Sequence, residues 1–281
     1  MALERALPDS EEYRNSGYYD LMVERYTIAQ KFVKNKLVLD TCCGTGWGTF
    51  HYLSENSKFA TGIDLSDEAI NHYSFHKDNF KLLKMDALNL EFENNSFDVV
   101  IAFESIEHFS KNDAYKYITE LKRVMKSDGF LIGSTPVCAD KSLIPVLLEW
   151  NRFHKYVYTK RSLSHLLRSF FPLVYVHTLY NKTFPYFLFI CENKITADKK
   201  EIRKFMQEFI HSRRDERRIR SYHYQRWSRE LLVRRDRKNS VKLGIIALYQ
   251  DPLSRAVWKF LIISFLPDLL INAIRKIRQR K

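Results

Sequence analysis

Val38-Leu39-Asp40-Thr41-Cys42-Cys43-Gly44-Thr45-Gly46-Trp47-Gly48 decides how this chain is read. A short apolar run ends in an acid, then three glycines alternate with other residues, and a helical pattern follows at about 46–56. Glycines between a strand and a helix let the backbone come close to a ligand. A glycine-rich turn alone is also what a tight strand–helix connection needs, so the surroundings have to choose. A dinucleotide site asks for G-x-G-x-x-G with the pyrophosphate on the helix terminus. Here Thr49 occupies the third glycine's place, and Asp40 stands where it would repel a pyrophosphate. A carboxylate at that point suits a ligand carrying positive charge.

Outward from the loop, Phe59–Ile63 is a second strand and closes on Asp64. A carboxylate there can accept hydrogen bonds from both hydroxyls of a ribose. Phe80–Met85 is a third strand, ending at Asp86, which can accept from an adenine amino group. Phe97–Phe103 and Phe130–Ser134 are further strands, with helices expected at 10–34, 66–76, 112–126 and 160–169. Ser66 is the expected N-cap of the second of these, and Lys126-Ser-Asp-Gly129 the stop of the third. Leu173–Leu179 and Tyr186–Ile190 read as a closing hairpin. Strands alternating with helices give βαβ units. The fold class is α/β: a Rossmann-like doubly wound seven-stranded sheet with a closing antiparallel hairpin. Its acids Asp40, Asp64 and Asp86 stand at successive strand ends, along the crevice where open α/β sheets bind ligands.

The residues now in view resemble a known family. Val38 to Gly46, Gly62-Ile63-Asp64, Met85-Asp86-Ala87, Phe97-Asp-Val-Val100 and Leu121 to Ile132 are similar to the successive motifs of class I S-adenosylmethionine-dependent methyltransferases, over about residues 15–191. The resemblance implies S-adenosylmethionine as cofactor, held by Asp40, Cys42, Gly44, Gly46, Asp64, Leu65, Asp86, Ala87 and Phe103. The family often has glycine or alanine where Cys42 stands, a departure small enough to leave binding intact. Arg25 and Tyr26 lie on a leading helix that, in many such enzymes, closes over the cofactor. Arg25 is a candidate partner for the cofactor's carboxylate, or else for Asp20 or Glu24 on the surface. A narrower resemblance rests on Glu24-Arg25-Tyr26-Thr-Ile-Ala29, on Phe103-Glu-Ser-Ile-Glu-His108, and on Ser134-Thr-Pro136 followed by Asn151-Arg-Phe-His154. It is to methyltransferases encoded with bacterial surface-polysaccharide enzymes, and it implies a small-molecule or glycan acceptor methylated on oxygen.

Methyl transfer from a sulfonium needs alignment above all, and a base when a hydroxyl is the acceptor. His108, just past the fourth strand, is the candidate base, with packing or capping as its alternative. Glu104 is a candidate to orient cofactor or acceptor, and Glu107 reads as a solvated neighbour. His154, beyond a long connection after the fifth strand, faces the acceptor by resemblance and is otherwise a surface histidine. No [Asp/Asn]-Pro-Pro-[Tyr/Phe] follows the fourth strand, which disfavours methylation of base amino groups in nucleic acid. The four cysteines, at 42, 43, 138 and 191, lack the spacing of a zinc site or a disulfide framework, and we expect no metal.

Charge divides the chain. The net +13 arises from −1 over residues 1–194 and +14 over 195–281. We therefore expect a methyltransferase domain at 1–194, its first 35 residues a helical lid, and a basic helical extension at 195–281. Residues 198–238 read as one or two long helices, with Ile202, Phe205, Met206, Phe209 and Ile210 as an apolar stripe for the body or for the second copy of a homodimer. Residues 253–281, with the strongly apolar Val257–Leu266 between basic flanks, read as lying on an anionic membrane surface, or else as a buried helix at a dimer or domain contact. Nucleic acid is the less favoured acidic partner. A polar start with no signal peptide and the lack of an 18-residue apolar run point to a cytoplasmic protein, peripheral on the membrane's inner face.

Overall fold

The structure is a computed structural model describing residues 7–194, 204 and 216–264. The chain forms two compact units, Met1–Glu201 and Ile202–Lys281.

The first unit is a seven-stranded sheet in the order β3-β2-β1-β4-β5-β7-β6. Its strands are β1 (Leu37–Thr41), β2 (Phe59–Asp64), β3 (Phe80–Lys84), β4 (Phe97–Phe103), β5 (Met125–Pro136), β6 (Leu173–Leu179) and β7 (Tyr186–Glu192). The first five run parallel, and β7 enters antiparallel between β5 and β6. Val38, Leu39, Val99, Val100 and Ile101 are fully buried, as central strands covered on both faces require. The expected fold class is the observed one. The chain leaves β1 towards β2 on one side and later returns to β4 on the other. The crevice at this switch opens at the carboxyl ends of β1 and β4.

The helices depart from expectation in instructive ways. The first is two, α1 (Glu11–Asn15) and α2 (Tyr18–Gln30), because Gly17 takes a left-handed φ of 74° between them. The segment after the glycine loop is a π-helical turn, Thr49–Leu53, continued by α3 (Ser54–Asn56). Ser66 does cap α4, but that helix is only Asp67–Ile70. Residues past it are held by rings instead, with Phe75 stacked on Phe50 at 4.2 Å between centroids. α5 (Lys111–Val124) ends one residue before Met125, and Lys126-Ser-Asp-Gly129 is not a loop. It lies within β5, where the register against β4 shifts between Phe97 and Val99. α6 (Ile144–Trp150), preceded by a short 3-10 turn, occupies the long connection after β5. α7 (Lys160–Arg168) begins with a capping box at Thr159 and Ser162.

The second unit contains α8 (Glu216–Val233), α9 (Arg237–Gln250) and α10 (Arg255–Ser264). Small residues let α8 and α9 approach: Ser240 Oγ donates to the Ser228 carbonyl at 2.8 Å, and Ser221 Oγ to that of Ala247 at 2.9 Å. A β-carbon on Gly244 would meet Leu261 Cδ2 at 2.7 Å. Trp227, Leu231, Leu243, Val257, Phe260 and Leu261 are buried there. Part of the apolar run at 257–266 therefore packs within its own unit, while Trp258 and Ile262 are exposed. The expected stripe at 202–210 and the residues from 265 onward lie outside the described ones. Among the described residues no helix is long and apolar enough to cross a membrane.

Candidate active site

Each cofactor-side group is placed by a strand end. Cys42, Gly44 and Gly46 all have positive φ, of 53°, 59° and 71°. Cys42 thus holds a conformation that suits glycine, at a cost of roughly 1–2 kcal/mol. The Cys43 N–H donates to the Ile63 carbonyl at 2.9 Å and ties the loop to β2. A β-carbon at Gly46 would strike Leu82, and one at Gly48 would enter the Tyr26 ring at 2.1 Å. At Gly44 the same atom would meet nothing within 4 Å. The loop is thus packed on its inner side and open at Gly44, a cradle for a ligand to rest against backbone.

Asp64 borders that opening. Its Oδ2 accepts from Gly44 N–H at 2.9 Å and its Oδ1 from Ser66 N–H at 3.0 Å. Each oxygen keeps a second lone pair for a hydroxyl. Asp40 is buried at the end of β1, and one oxygen, Oδ2, accepts from Tyr26 Oη at 2.9 Å and Thr49 Oγ1 at 2.5 Å. Burial pushes its carboxyl up to about 7, against the pull of these two hydrogen bonds and with a further push from Asp64. Asp86 is exposed and accepts from the Leu88 N–H at 2.9 Å, as a turn acid would. Leu65 is exposed, whereas Ala87 and Phe103 are buried, Phe103 edge-on to Tyr26.

Arg25 pairs with neither Asp20 nor Glu24. It is buried, its guanidinium 3.3 Å from Glu104 Oε1 and 5.3 Å from the centre of the Tyr186 ring. Tyr186 Oη in turn donates to Glu24 Oε2 at 3.0 Å. The leading helix is therefore fixed to the ends of β4 and β7. Glu104 also accepts from Ser134 Oγ at 2.7 Å and has a φ of 46°, a strained turn that ends β4.

Past that turn the surroundings change. Glu107, expected to be solvated, is buried, because Ile106–His108 forms a 3-10 turn that tucks it under β5. Thr135 Oγ1 donates to its Oε2 at 2.9 Å, and Oε1 has no partner. Burial and then the charge of Glu104 hold its carboxyl well above the usual range. The Glu107 carbonyl accepts from the N–H groups of Lys155, at 2.8 Å, and Tyr156, at 3.1 Å. These bonds bring the 151–158 segment to the turn. The rings of His108 and His154 meet edge to face at 5.1 Å. Asn151 Oδ1 accepts from the Phe153 N–H at 3.0 Å, so its amide nitrogen faces His154 Nε2 at 2.9 Å. Nε2 is then an acceptor, and the ring proton is on Nδ1. Burial, then His108, lower the His154 pKa to about 4. The structure thus brings His108, His154 and Glu107 together, and joins Glu104 to Arg25.

Tyr117 stands outside the residues expected at the site. Fully buried on α5, its hydroxyl lies 2.6 Å from Thr41 Oγ1 and 3.0 Å from Ser105 Oγ. One phenol thus bridges the turns after β1 and β4. A polar-tipped residue on the buried stripe of α5 was the available signal.

The segment around the glycine loop has relatives among known proteins. Residues 38–129 match the family described as "Methyltransferase domain". A fatty-acid O-methyltransferase of Mycolicibacterium smegmatis is 31% identical over 131 residues, 45% of either chain. A tRNA U34 carboxymethyltransferase of Aeromonas hydrophila is 30% identical over 43% of this chain and 38% of its own. A demethylmenaquinone methyltransferase of Staphylococcus aureus is 32% identical over 35% and 42%. The chain spans less than half the length of each of these three relatives. A SAM-dependent methyltransferase structure from Thermotoga maritima covers 65% of this chain and 95% of its own, at 18% identity and a TM-score of 0.51. The [4+2]-cyclase SpnF covers 66% and 85%, at 16% and 0.50. Both share the fold. Residues 38–129 thus match a methyltransferase domain, and the resemblance implies S-adenosylmethionine as the cofactor. The open cradle at Gly44, bordered by Asp64, fits that group.

Proposed function

We propose that this protein methylates a hydroxyl of a small-molecule or glycan acceptor. The carrying observation is one switch-point crevice with two chemically different ends. Asp40, Gly44 and Asp64 stand at β1 and β2, and His108 and His154 stand beyond β4. S-adenosylmethionine, when bound, supplies an electrophilic methyl on a cationic sulfur. Asp64 accepts the ribose hydroxyls, and Asp86 accepts from the adenine amino group. Asp40 offers negative charge to the ligand from beneath the loop, and Arg25, shared with Glu104, reaches its carboxylate. His108 takes the acceptor's proton. His154, neutral at pH 7 and protonated on Nδ1, donates a hydrogen bond to the acceptor.

The unit around α8–α10 supports a further part of the reading, residence on an anionic membrane. Trp258 and Ile262 are exposed four residues apart on α10, beside the exposed Lys259. This spacing presents an apolar edge with a cationic neighbour to a bilayer interface. A lipophilic acceptor is the second reading, favoured by the fatty-acid and demethylmenaquinone relatives.

The test uses radiolabelled S-adenosylmethionine with the full chain and a membrane and glycan extract. We expect label in a polar product that resists mild alkali, as a methyl ether does. Label released by alkali as methanol would mean a carboxylate acceptor, and label on carbon of a quinone would establish the second reading. No binding of S-adenosylmethionine by calorimetry would end both.

A further inference from the structure

Glu107 poses a question that methyl transfer alone leaves open. A carboxyl group 1% exposed, with Oε1 unpartnered, is an expensive thing to keep in a folded protein. It persists where something else uses it. Its neighbours say what. An oxygen of Glu107, a ring nitrogen of His108 and a ring nitrogen of His154 all lie within 4.8 Å of one another. One of the three side chains is already oriented from behind: Thr135 holds Glu107 by Oε2. Such an outer hydrogen bond is what fixes a metal ligand in register. His154 carries its proton on Nδ1, so its ligand atom is Nε2, and an ion bound there displaces the Asn151 amide.

We infer that Glu107, His108 and His154 form a divalent-cation site at the acceptor end of the crevice. This departs from the expectation of no metal, which rested on cysteine spacing. Two imidazoles and one carboxylate favour a divalent first-row transition ion over Mg²⁺ or Ca²⁺, and Mn²⁺ is the member of that series that serves as a spectroscopic probe. Ligands around such an ion stand about 3 Å apart at bond lengths near 2.1 Å. The observed cluster therefore has to contract by less than about 2 Å on binding. Three protein ligands leave positions open for an acceptor hydroxyl or a vicinal pair of them.

The existence of the site rests on these side chains alone; its use rests on the methyl-transfer reading above. In that use, an acceptor hydroxyl held at the open position becomes more acidic. Its proton passes to solvent, the O–CH₃ bond forms as the S–CH₃ bond breaks, and neutral S-adenosylhomocysteine is left. His108 then acts as a ligand rather than as the base itself.

The experiment takes the full chain, freed of metal with EDTA and desalted, and titrates MnCl₂ against it. Electron paramagnetic resonance reads the loss of the free aqueous Mn²⁺ signal. We expect one saturable site per chain. We expect at least tenfold weaker binding in His108→Ala and in His154→Ala, each first shown to melt as the parent does. Glu107→Gln should weaken it as well, and the two histidine variants carry the test if that buried substitution does not fold. No saturable binding by the parent overturns the proposal. So does unchanged affinity in both histidine variants. Saturable Mn²⁺ binding that both histidine variants weaken, in a chain that fails to bind S-adenosylmethionine, would uphold the site while ending the methyl-transfer reading.

Discussion

The two ends of the crevice are built on opposite principles. At the glycine loop the acids are supported from within the protein: Asp40 by Tyr26 and Thr49, Asp64 by two backbone N–H groups. Beyond β4, a buried carboxylate keeps one oxygen unpartnered, and two imidazoles stand ring to ring. The first end is complete without a ligand; the second is completed by one. A cofactor common to a whole family can be met by a preformed cradle, whereas the acceptor end carries what is particular to this chain.

The largest break in that contrast should come from His108. As base or as ligand it acts on the transferring atoms, so His108→Ala should slow turnover by about 10²–10⁴-fold while cofactor affinity holds. Single-turnover kinetics with saturating cofactor would show it, and a near-normal rate would return the residue to packing.

The glycine-loop end should fail in binding instead. Asp64→Ala removes two charge-assisted acceptors and should cost roughly 2–3 kcal/mol of S-adenosylmethionine affinity. Calorimetry on the folded variant checks this, and unchanged affinity would remove Asp64 from the site.

Asp40 gives the same end a pH signature. Its carboxyl is raised to about 7 from the ordinary 3.8, so the folded chain holds this proton more tightly than the unfolded one. The stability this confers is full below pH 4 and is lost as pH rises through 7. A cationic ligand reverses the preference, because it favours the carboxylate. Affinity for S-adenosylmethionine should therefore climb by up to about tenfold per unit between pH 5 and 7 and then level off. S-Adenosylhomocysteine, which lacks the sulfonium charge, should show a shallower slope, and Asp40→Asn should flatten both.

Tyr117 lies beneath both ends. Tyr117→Phe leaves Thr41 and Ser105 without their shared partner and should cost roughly 1–2 kcal/mol in denaturant unfolding. Activity should fall further than affinity, because the turn after β4 loses its anchor. The smallest effect concerns the second unit. Replacing Trp258 and Ile262 with serine should reduce flotation with anionic liposomes by a few fold. Flotation equal to the parent's would remove this face from the membrane reading.

How far the sequence could be read follows from what each signal depends on. Strands β1 to β7 were legible because their apolar runs are local and their acids mark the ends. The register of Asp40, Asp64 and Asp86 came with them. The short α4 was not, since Ser66-Asp-Glu opens a helix well, while the chain after Ile70 packs Phe75 against Phe80 and the distant Phe50 and His51. The continuation of β5 through Lys126-Ser-Asp-Gly129 was hidden because a helix stop and a bulged strand use the same residues. Glu107 was misjudged for a related reason. Its burial depends on Thr135 and on Lys155 and Tyr156, none of them near it in sequence. Arg25 was expected to meet the cofactor's carboxylate or else a local acid, and its partner within the protein lies 79 positions on, at Glu104. The pattern shows which face a residue occupies, but not which distant element will cover it.

The two main-chain bonds from Lys155 and Tyr156 to the Glu107 carbonyl have a mechanical meaning. They act as a latch made of backbone, indifferent to the side chains on either strap. Releasing the latch would carry His154 away from His108 and widen the entrance, with Asn151 travelling along. Amide hydrogen exchange at these two positions would therefore report how tightly the two bonds hold, independently of any chemistry behind them.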